Sequence, residues 1–573
     1  MRLINKLGLG TILAAALTVL AGQSSAQTIC TGNIDSLTPS TGGTGTCDRI
    51  WGDDADEAFV VVDGPVFVLD TKLTILPGTI VRGQPRTAAY SPSTPLVGFP
   101  GVLVITRGAF LDARGTKNDP IILTTAALND PASTGNTLKL SNGKPAPYTG
   151  AAGETFLDDD PANDPLAPLQ ADGSSAYGLH GGLVINGYAP TNLDDTATGI
   201  EGEGIVEGIP VPGVAPAAAT YGGNSPHDSS GVLEYFSIRH AGDELEPNKE
   251  LNGYTLAGVG DGTVLSYVDA YANGDDGFEM FGGTVNLDHV VAAWIGDDSI
   301  DTDQGYSGQI QSVLTLSLFF KDDQGGDIGS GGSGDAAGEI DGEDCPECIV
   351  GFDGFVLPQP DFLAGNWTAM GNIAAALNGS GVTNPATVAN SGNEGIQIDT
   401  QATPTIFNTV MLGWTGTSAG PAIEYNSSGR PDICAIVATT TDNGFDAGAT
   451  VCGTTGDTRV AAGNKYIGGS ANFPSVTGQQ LLVNENHFFD PNGVASGGRQ
   501  RLQGSKTDDA GNVGGPAFDP RPLNPADANV SGGIQPQWAG MDSSQTQRGG
   551  FPAGTENWTA GWSTISLGGI IAD

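Results

Sequence analysis

The chain is poor in the residues that most cofactor sites and helical bundles need. It has five His and five Met among 573 residues, and aromatic residues make up only 7%. Scattered His and scarce Met argue against copper and haem, and no nucleophilic triad or phosphate loop is visible. Long helical periodicity is also missing, whereas short β-branched runs bounded by Gly, Asn and Asp occur throughout, with 88 Gly in all. These absences disfavour a helical bundle and favour an all-β fold.

Basic residues are scarce too. Only 22 Lys and Arg stand against 65 Asp and Glu, which gives a formal charge of −43 at pH 7. Such a surface repels nucleic acid and anionic lipid, and it attracts divalent cations. We therefore expect no nucleic-acid partner for this acidic protein. Solubility in a salty or calcium-containing medium is the simpler explanation of the same charge.

Only one long apolar run is present, at the start of the chain. Leu7–Leu20 follows Arg2 and Lys6 and precedes the small residues Ser24–Ala26. This order is typical of a secretory signal peptide, predicted here as residues 1–26. Gln23 stands where a lipoprotein would need Cys, and no later run is long enough to span a membrane. We therefore expect a secreted or outer-surface protein with no integral membrane segment after cleavage; the periplasm is the alternative location.

The six cysteines form three pairs that are close in sequence. In an exported protein, such local pairs predict disulfides. The middle pair could instead be redox-active or half of a zinc site, but no second C-x-x-C and no nearby His completes a metal set. The predicted pairs are Cys30 with Cys47, Cys345 with Cys348, and Cys434 with Cys452.

A three-residue sequence recurs at a fixed interval in the middle of the chain. Gly274-Asp275-Asp276 returns 22 residues later as Gly296-Asp297-Asp298, and the flanking apolar residues match at the same offset. Upstream, Leu233 and Tyr235 match Leu265 and Tyr267 at an offset of 32, with a ten-residue insertion between them. A repeat of about 22 residues built from short alternating strands predicts a solenoid, with one coil of a parallel β-helix per repeat.

Other segments carry the same pattern of short strands broken by turns. Examples are "KLTILPGTIVRG" (Lys72–Gly83), "GVLVITRGAFLDARGTKNDPIILTT" (Gly101–Thr125) and "NWTAGW" (Asn557–Trp562). Together with the Gly-Asp-Asp coils, these segments resemble secreted bacterial right-handed parallel β-helix proteins of the pectate-lyase-like superfold. Within it, they resemble a group of unassigned activity. The resemblance extends roughly from Val60 to Trp562 and implies a fold rather than a function.

The implied fold is an all-β, right-handed parallel β-helix with coils of about 22 residues and long inserted loops. Residues 27–59 are predicted as an N-terminal cap region, and residues 60–489 as the β-helix. Within the β-helix, residues 129–176 and 321–348 are predicted as loops. Residues 490–573 are predicted as an irregular, capping C-terminal region that covers the open end of the coils.

The recurring carboxylates predict a cation site. Stacked coils would place Asp275 above Asp297 and Asp276 above Asp298, where each like-charged pair costs about 3 kcal/mol at an effective dielectric constant near 20. A bound cation removes this repulsion, and oxygen-only ligands suit Ca²⁺ better than Zn²⁺. The alternative is that these side chains cap turns. The predicted Ca²⁺ ligands are Asp243, Asp275, Asp276, Asp297, Asp298, Asp301 and Asp303.

Paired carboxylates are also the machinery of glycoside hydrolysis. The β-helix polygalacturonases use a Gly-Asp-Asp sequence, but its usual companions, Gly-His-Gly and Arg-Ile-Lys, are absent here. We therefore expect no catalytic site. If the protein is an enzyme, the candidates are Asp297 and Asp298 with Arg239 as base, or Lys249 in its place. The alternative function is then a polysaccharide lyase or glycoside hydrolase that acts on an acidic polysaccharide.

The function expected from the sequence is that of an exported or cell-surface, calcium-stabilised protein without catalysis. Its expected partner is a glycan or another surface component. Tyr271 and Trp294 are the predicted ligand-binding residues, and outward-facing rings on one flank, such as these two and Tyr254, would favour stacking on sugars. A flank without such rings would instead favour a structural surface-coat protein.

Overall fold

A computed structural model of the protein describes 27 strands, β1 to β27. The described residues are 28–38, 47–52, 59–89, 98–132, 137–159, 176–195, 197–206, 208–209, 218–245, 249–316, 336–342, 362–370, 395–398, 402, 404–412, 423–425, 465–467, 505–507, 513–516, 535–536, 539–552 and 556–567.

One sheet of 23 strands, paired in parallel throughout, forms the body of the protein. Its strands are β1 (Thr28–Ile34), β2 (Ile50–Trp51), β3 (Val60–Val68), β4 (Lys72–Ile75), β5 (Ile80–Gly83), β6 (Val102–Ile105), β7 (Phe110–Arg114), β8 (Ile121–Thr125), β9 (Leu183–Asn186), β12 (Gly231–Arg239), β13 (Tyr254–Ala257), β14 (Val264–Tyr271), β15 (Phe278–Phe281), β16 (Asn286–Ala293), β17 (Ile300–Asp303), β18 (Gln309–Leu316), β19 (Gly338–Ile340), β20 (Leu363–Met370), β21 (Ile396–Ile398), β22 (Thr405–Phe407), β23 (Val410–Leu412), β24 (Ile423–Tyr425) and β25 (Lys465–Ile467).

The remaining elements are small. They are the antiparallel pairs β10 (Glu203–Ile205) with β11 (Thr220–Gly222) and β26 (Ser505–Thr507) with β27 (Val513–Pro516), a 3-10 helix (Leu157–Asp159) and a short α-helix α1 (Thr564–Leu567).

Each coil has three sides, and the repeat found in the sequence is the coil. β14 pairs with β16 and β15 with β17, so Leu265 lies beside Leu287 and Phe278 beside Ile300, as the 22-residue offset predicts. The offset of 32 is confirmed as well, because Leu233 of β12 lies beside Leu265. Parallel strands joined by crossovers wind right-handed in nearly all proteins. The fold is therefore the predicted right-handed parallel β-helix.

The first and second sides of a coil meet inside one bent strand. The bend is at a residue with a left-handed backbone conformation, which residues other than Gly adopt at a cost in free energy. These residues stack from coil to coil and form a column that we call the corner ladder. Its members are Tyr235, Tyr267, His289, Ser312, Asn366 and Asn408, with φ between 49° and 63°.

Alternate side chains of the strands between residues 60 and 370 point into the coil and form one continuous core among the described residues. On the third side, Tyr254, Phe278 and Ile300 are fully buried in consecutive coils, and the rings of Tyr254 and Phe278 stack with centroids 4.5 Å apart. Burying each such side chain contributes about 1.5–3 kcal/mol. Because every coil buries its apolar side against the next, the stack is stable only as an array.

The outward face of the third side changes character along the stack. In the early coils it carries Phe67, Val104 and Val184, which pack against Leu193 and Tyr221 of the segment that contains β10 and β11. In the later coils the same column carries carboxylates instead. The apolar part is thus covered by an insertion, while the carboxylates Glu279 and Asp301 of the acidic part are half-buried among the described residues.

The described end of the chain, residues 539–552 and 556–567, lies along the first and second sides of the coils. We call these residues the C-terminal strap. Gln545 is bonded to Ser312, and the backbone N–H of Thr564 donates to Asp269 Oδ2 at 2.7 Å. The Trp562 ring is buried and meets Tyr235 and Tyr267 edge-on. The strap therefore runs across several coils on their flank.

One predicted disulfide lies within the described residues. Cys30 and Cys47 are joined, and both are buried at the first coils. The other four cysteines, Cys345, Cys348, Cys434 and Cys452, lie outside the described residues, as does the predicted signal peptide. No helix in the described part of the chain is long and apolar enough to cross a membrane.

Candidate cation site on the third side of the coils

The Gly-Asp-Asp sequences are turns that lead into the third side of two consecutive coils. Their glycines stack so tightly that no side chain fits. A Cβ atom on Gly274 would come within 2.4 Å of the carbonyl oxygen of Gly242, and one on Gly296 within 2.4 Å of that of Gly274. Gly is therefore required before the Asp pair for the turns to stack, and the stacked turns bring the carboxylates of neighbouring coils together.

Two groups of three carboxylates result. In the first, Asp275, Asp276 and Asp297 offer oxygen atoms that all lie within 4.8 Å of one another. In the second, Asp276, Glu279 and Asp301 do the same. Asp276 belongs to both groups and is buried, whereas the other four are half-buried. We call these five residues the acidic cluster.

Backbone and amide hydrogen bonds hold the central carboxylate. Asp276 Oδ1 accepts the N–H of Asp298 at 2.9 Å, and the N–H of Asp276 donates to Asn252 Oδ1 at 3.2 Å. The amide of the same Asn252 also donates to Glu279. The cluster is thus set by neighbouring coils rather than by flexible loops, which favours a preformed site.

The electrostatics of the cluster are unfavourable without a cation. Burial, followed by the negative charges of Asp275, Glu279 and Asp297, raises the pKa of Asp276 well above its ordinary value. Burial and the charges of Asp276 and Glu279 likewise raise the pKa of Asp301. A divalent cation reverses this balance by favouring the ionised carboxylates. An all-oxygen set of this kind matches the ligand preference of Ca²⁺ and Mg²⁺ rather than that of Zn²⁺.

Three of the seven predicted ligands lie outside the two groups. Asp243 forms an ion pair with Arg86 at 2.9 Å, and its burial raises its pKa to about 6. Asp298 Oδ1 accepts the N–H of Ala336 at 2.6 Å. Asp303 is buried at the far end of β17 and bonds the N–H of Gln304. Asp298 and Asp303 thus bond backbone N–H groups, as expected if they cap turns. Asp243 forms a structural ion pair with Arg86.

Glu279 is the ligand candidate that the sequence analysis missed. It lies on β15, three residues after Asp276, and faces outward beside Asp301 of β17. Glu339 of β19 follows in the same column. Strand alternation contained this signal, because Phe278 and Met280 point inward and Glu279 must then point outward.

Arg239 is not placed to act with Asp297 and Asp298. Its side chain is buried, its Nε donates to Ser237 Oγ at 3.1 Å, and its charged neighbours are Asp269 and Asp158. Burial lowers the pKa of Arg239. The three residues named as a catalytic set therefore do not form one, because Arg239 is held in a separate buried network.

The two predicted ligand-binding rings, Tyr271 and Trp294, are buried, and so is Tyr254. Tyr271 and Trp294 pack edge-on against each other with centroids 5.1 Å apart, and each is at most 1% exposed. Tyr254 points into the core, where its hydroxyl donates to the carbonyl of Phe236 at 2.8 Å. A ring stacks on a sugar only if one face reaches solvent, and none of these does.

The strand pairing and the stacked turns define the class: the chain is a parallel β-helix protein. Residues 162–339, which include the acidic cluster, match the family model described as a pectate-lyase like beta helix domain. No curated protein and no solved structure matches the chain. The family match supports the fold, and it carries no statement about activity.

Proposed function

We propose that the protein is an exported or cell-surface β-helix protein, stabilised by Ca²⁺ and without catalytic activity, whose acidic cluster binds a glycan or another surface component through bound cations. The observation that carries this proposal is the sharing of buried Asp276 between two groups of three carboxylates within 4.8 Å. Carboxylates packed this closely repel one another strongly unless a cation lies between them.

The partner is proposed to be reached through the cation rather than through aromatic stacking. Asp275, Asp297, Glu279 and Asp301 are half-buried, so part of each of these four residues is exposed among the described residues. Ca²⁺ takes six to eight oxygen ligands, more than either group supplies. Its remaining positions are open to hydroxyl or carboxylate oxygens of a partner. This geometry favours an acidic glycan, which cannot approach the bare cluster but can approach a Ca²⁺-loaded one.

The experiment is calcium titration by calorimetry on the chelator-treated protein, its Asp276→Asn variant and a control variant, Asp261→Asn. Asp261 is an exposed turn carboxylate on a neighbouring coil that pairs with His227. We expect saturable binding to the parent and to the control, and at least tenfold weaker binding to Asp276→Asn. Equal heats from all three proteins would refute the site. Binding of an acidic glycan in Ca²⁺ but not in chelator would support the proposed partner.

A structural surface-coat role is the second candidate. It is favoured by the burial of Tyr254, Tyr271 and Trp294, since no ring of this set remains for sugar recognition. In that case Ca²⁺ would stabilise the coils, and no glycan would bind in either Ca²⁺ or chelator. The position of Arg239 in a buried network supports the absence of catalysis in both candidates.

A further inference from the structure

The five carboxylates of the acidic cluster form two pairs across consecutive coils, with one residue common to both. Asp275 and Asp297 occupy the same place in their coils, 22 residues apart. Glu279 and Asp301 do so as well, and they lie opposite each other in the pairing of β15 with β17. Asp276 completes the group of three around each pair, and among the described residues no such group contains members of both pairs. The cluster is therefore two sites that share a residue rather than one site with five ligands.

Each group of three has the dimensions of a single cation site. Ca²⁺ binds oxygen at about 2.3–2.6 Å, so ligands on opposite sides of the ion lie about 4.6–5.2 Å apart. The three oxygens of either group lie within 4.8 Å of one another, so one ion can contact all three. Each group can thus surround one Ca²⁺ ion without help from the other group.

The shared carboxylate is buried and has an oxygen without a hydrogen-bond donor. Asp276 is 8% exposed, and its Oδ1 accepts the N–H of Asp298. Among the described residues, no donor contributes a hydrogen bond to Oδ2 of Asp276. Buried polar atoms in folded proteins nearly always have a partner. Because a carboxylate offers about four lone pairs on its two oxygens, Asp276 can contact one ion through each oxygen and still keep its bond to Asp298.

The charge of the cluster favours two ions over one. The five carboxylates carry −5 when ionised, so one divalent cation would leave −3 and two would leave −1. Burial together with neighbouring carboxylates raises the pKa of Asp276 and of Asp301, which shows that the repulsion reaches the Glu279–Asp301 pair as well as the turns. An ion in one group alone would leave the repulsion within the other pair unrelieved.

We propose that the acidic cluster holds a pair of Ca²⁺ ions bridged by Asp276, one ion between the two turns and the other between Glu279 and Asp301. This inference rests on the proposed function and states how calcium regulates its site. The first ion lowers the net charge that attracts the second from −5 to −3, so the second binds more weakly. The cluster is therefore filled in two steps, and the weaker ion sets the calcium concentration at which the complete site forms.

The test counts the Ca²⁺ ions bound by the chelator-treated full-length protein and its variants in equilibrium dialysis, at the concentration that just saturates the parent. The acidic chain can bind Ca²⁺ elsewhere, so the difference from the parent decides. We expect Asp276→Asn to bind two ions fewer. Asp297→Asn and Asp301→Asn should each bind one ion fewer, and the double variant two fewer. Asp261→Asn is the matched control and should bind as many ions as the parent, whose titration should show two transitions at least tenfold apart.

The closeness of the two ions has its own measurement. Mn²⁺ prefers the same oxygen ligands and is paramagnetic, so it serves as the probe in place of Ca²⁺. Two Mn²⁺ ions bridged by one carboxylate are spin-coupled. We expect the electron paramagnetic resonance spectrum of the parent to show this coupling, and those of Asp297→Asn and Asp301→Asn to show an isolated ion instead.

The possible results separate this inference from the proposed function. If Asp276→Asn loses only one ion, or the double variant loses no more ions than either single variant, the cluster holds one cation and the pair is overturned. Two Mn²⁺ ions without spin coupling would overturn the shared carboxylate. If none of the cluster variants loses an ion, the cation site of the proposed function fails too.

Discussion

Replacement of Asp276 by Asn distinguishes a cation site from a row of carboxylates that cap turns. In chelator, the substitution should stabilise the protein if the cluster is a cation site and destabilise it if the carboxylate caps a turn. Asp276 is 8% exposed, and its Oδ1 accepts the N–H of Asp298. Asn keeps this acceptor and the side-chain volume. The substitution therefore removes a charge and leaves the hydrogen bond of the turn in place.

The magnitude follows from the distances. The carboxylate oxygens of Asp276 lie within 4.8 Å of those of four other carboxylates. At an effective dielectric constant near 20, one such pair costs about 3.5 kcal/mol when both are ionised. Protonation of one carboxylate removes the repulsion at a free-energy cost of about 1.4 kcal/mol for each unit by which the pH exceeds its pKa. The protein therefore bears only part of the full repulsion. We expect Asp276→Asn to be more stable than the parent by about 1–3 kcal/mol in chelator at pH 8.

Ca²⁺ should reduce or reverse this difference in the free energy of unfolding between Asp276→Asn and the parent. At about a hundred times its dissociation constant, a ligand stabilises the native parent by about 2.7 kcal/mol. The variant lacks the charge of Asp276, which belongs to both groups of carboxylates, and Ca²⁺ should therefore stabilise it less. Urea unfolding in Ca²⁺ and in chelator measures the four free energies, and Asp261→Asn serves as the control that should follow the parent in both media.

The dependence on pH has a defined sign. Folding raises the pKa of Asp276, so in chelator its contribution to stability is fully present below the pKa of an unfolded Asp and is lost as pH rises through the folded value. The advantage of the variant should therefore grow with pH. If Asp276→Asn destabilises the protein equally in Ca²⁺ and in chelator, the carboxylate only caps its turn, and the proposed cation site is refuted.

Three further predictions concern other parts of the molecule. Arg86→Met should destabilise the protein by about 3–5 kcal/mol, because it leaves Asp243 buried without its ion-pair partner. Folding holds the pKa of Asp243 at about 6, so the loss should be larger at pH 8 than at pH 5 in urea unfolding. Trp562→Ala should cost about 3–5 kcal/mol by the same assay, since the ring is buried against Tyr235 and Tyr267; a loss below 1 kcal/mol would mean that the strap does not stabilise the coils. Pectin and alginate should yield no new unsaturated or reducing ends, and such ends appearing with the parent protein would establish an enzyme instead.

The regular part of the protein could be predicted from sequence. The 22-residue offset aligned Leu265 with Leu287 and Phe278 with Ile300, and the strands pair in that register. The offset of 32 aligned Tyr235 with Tyr267, and the offset of 22 aligned Tyr267 with His289; these rings are stacked in the corner ladder with centroids 4.4 and 4.3 Å apart. This works because a solenoid repeats the same local contacts, so a pattern along the chain is also a pattern along the stack.

The acidic cluster could be predicted only in part. Asp275, Asp276, Asp297 and Asp301 occupy the groups expected from the repeat, whereas Asp243 does not. Its ion pair with Arg86 joins residues far apart in sequence, and the insertion after Glu244 removes that coil from the simple repeat. A repeat predicts which carboxylates share a column, but it does not reveal a counter-charge supplied by a distant segment.

Only the tertiary structure shows which segments cover the outward-facing side chains of the coils. Alternation along a strand predicts whether a side chain points into or out of the coil, so the sequence by itself determined the core and the outward position of Glu279. It did not determine that Tyr271 and Trp294 would be covered, or that the strap would bring Gln545 onto Ser312. Strand direction and register follow from short-range periodicity, whereas covering a face depends on where non-repeating segments return. Those segments have no period from which their positions could be calculated.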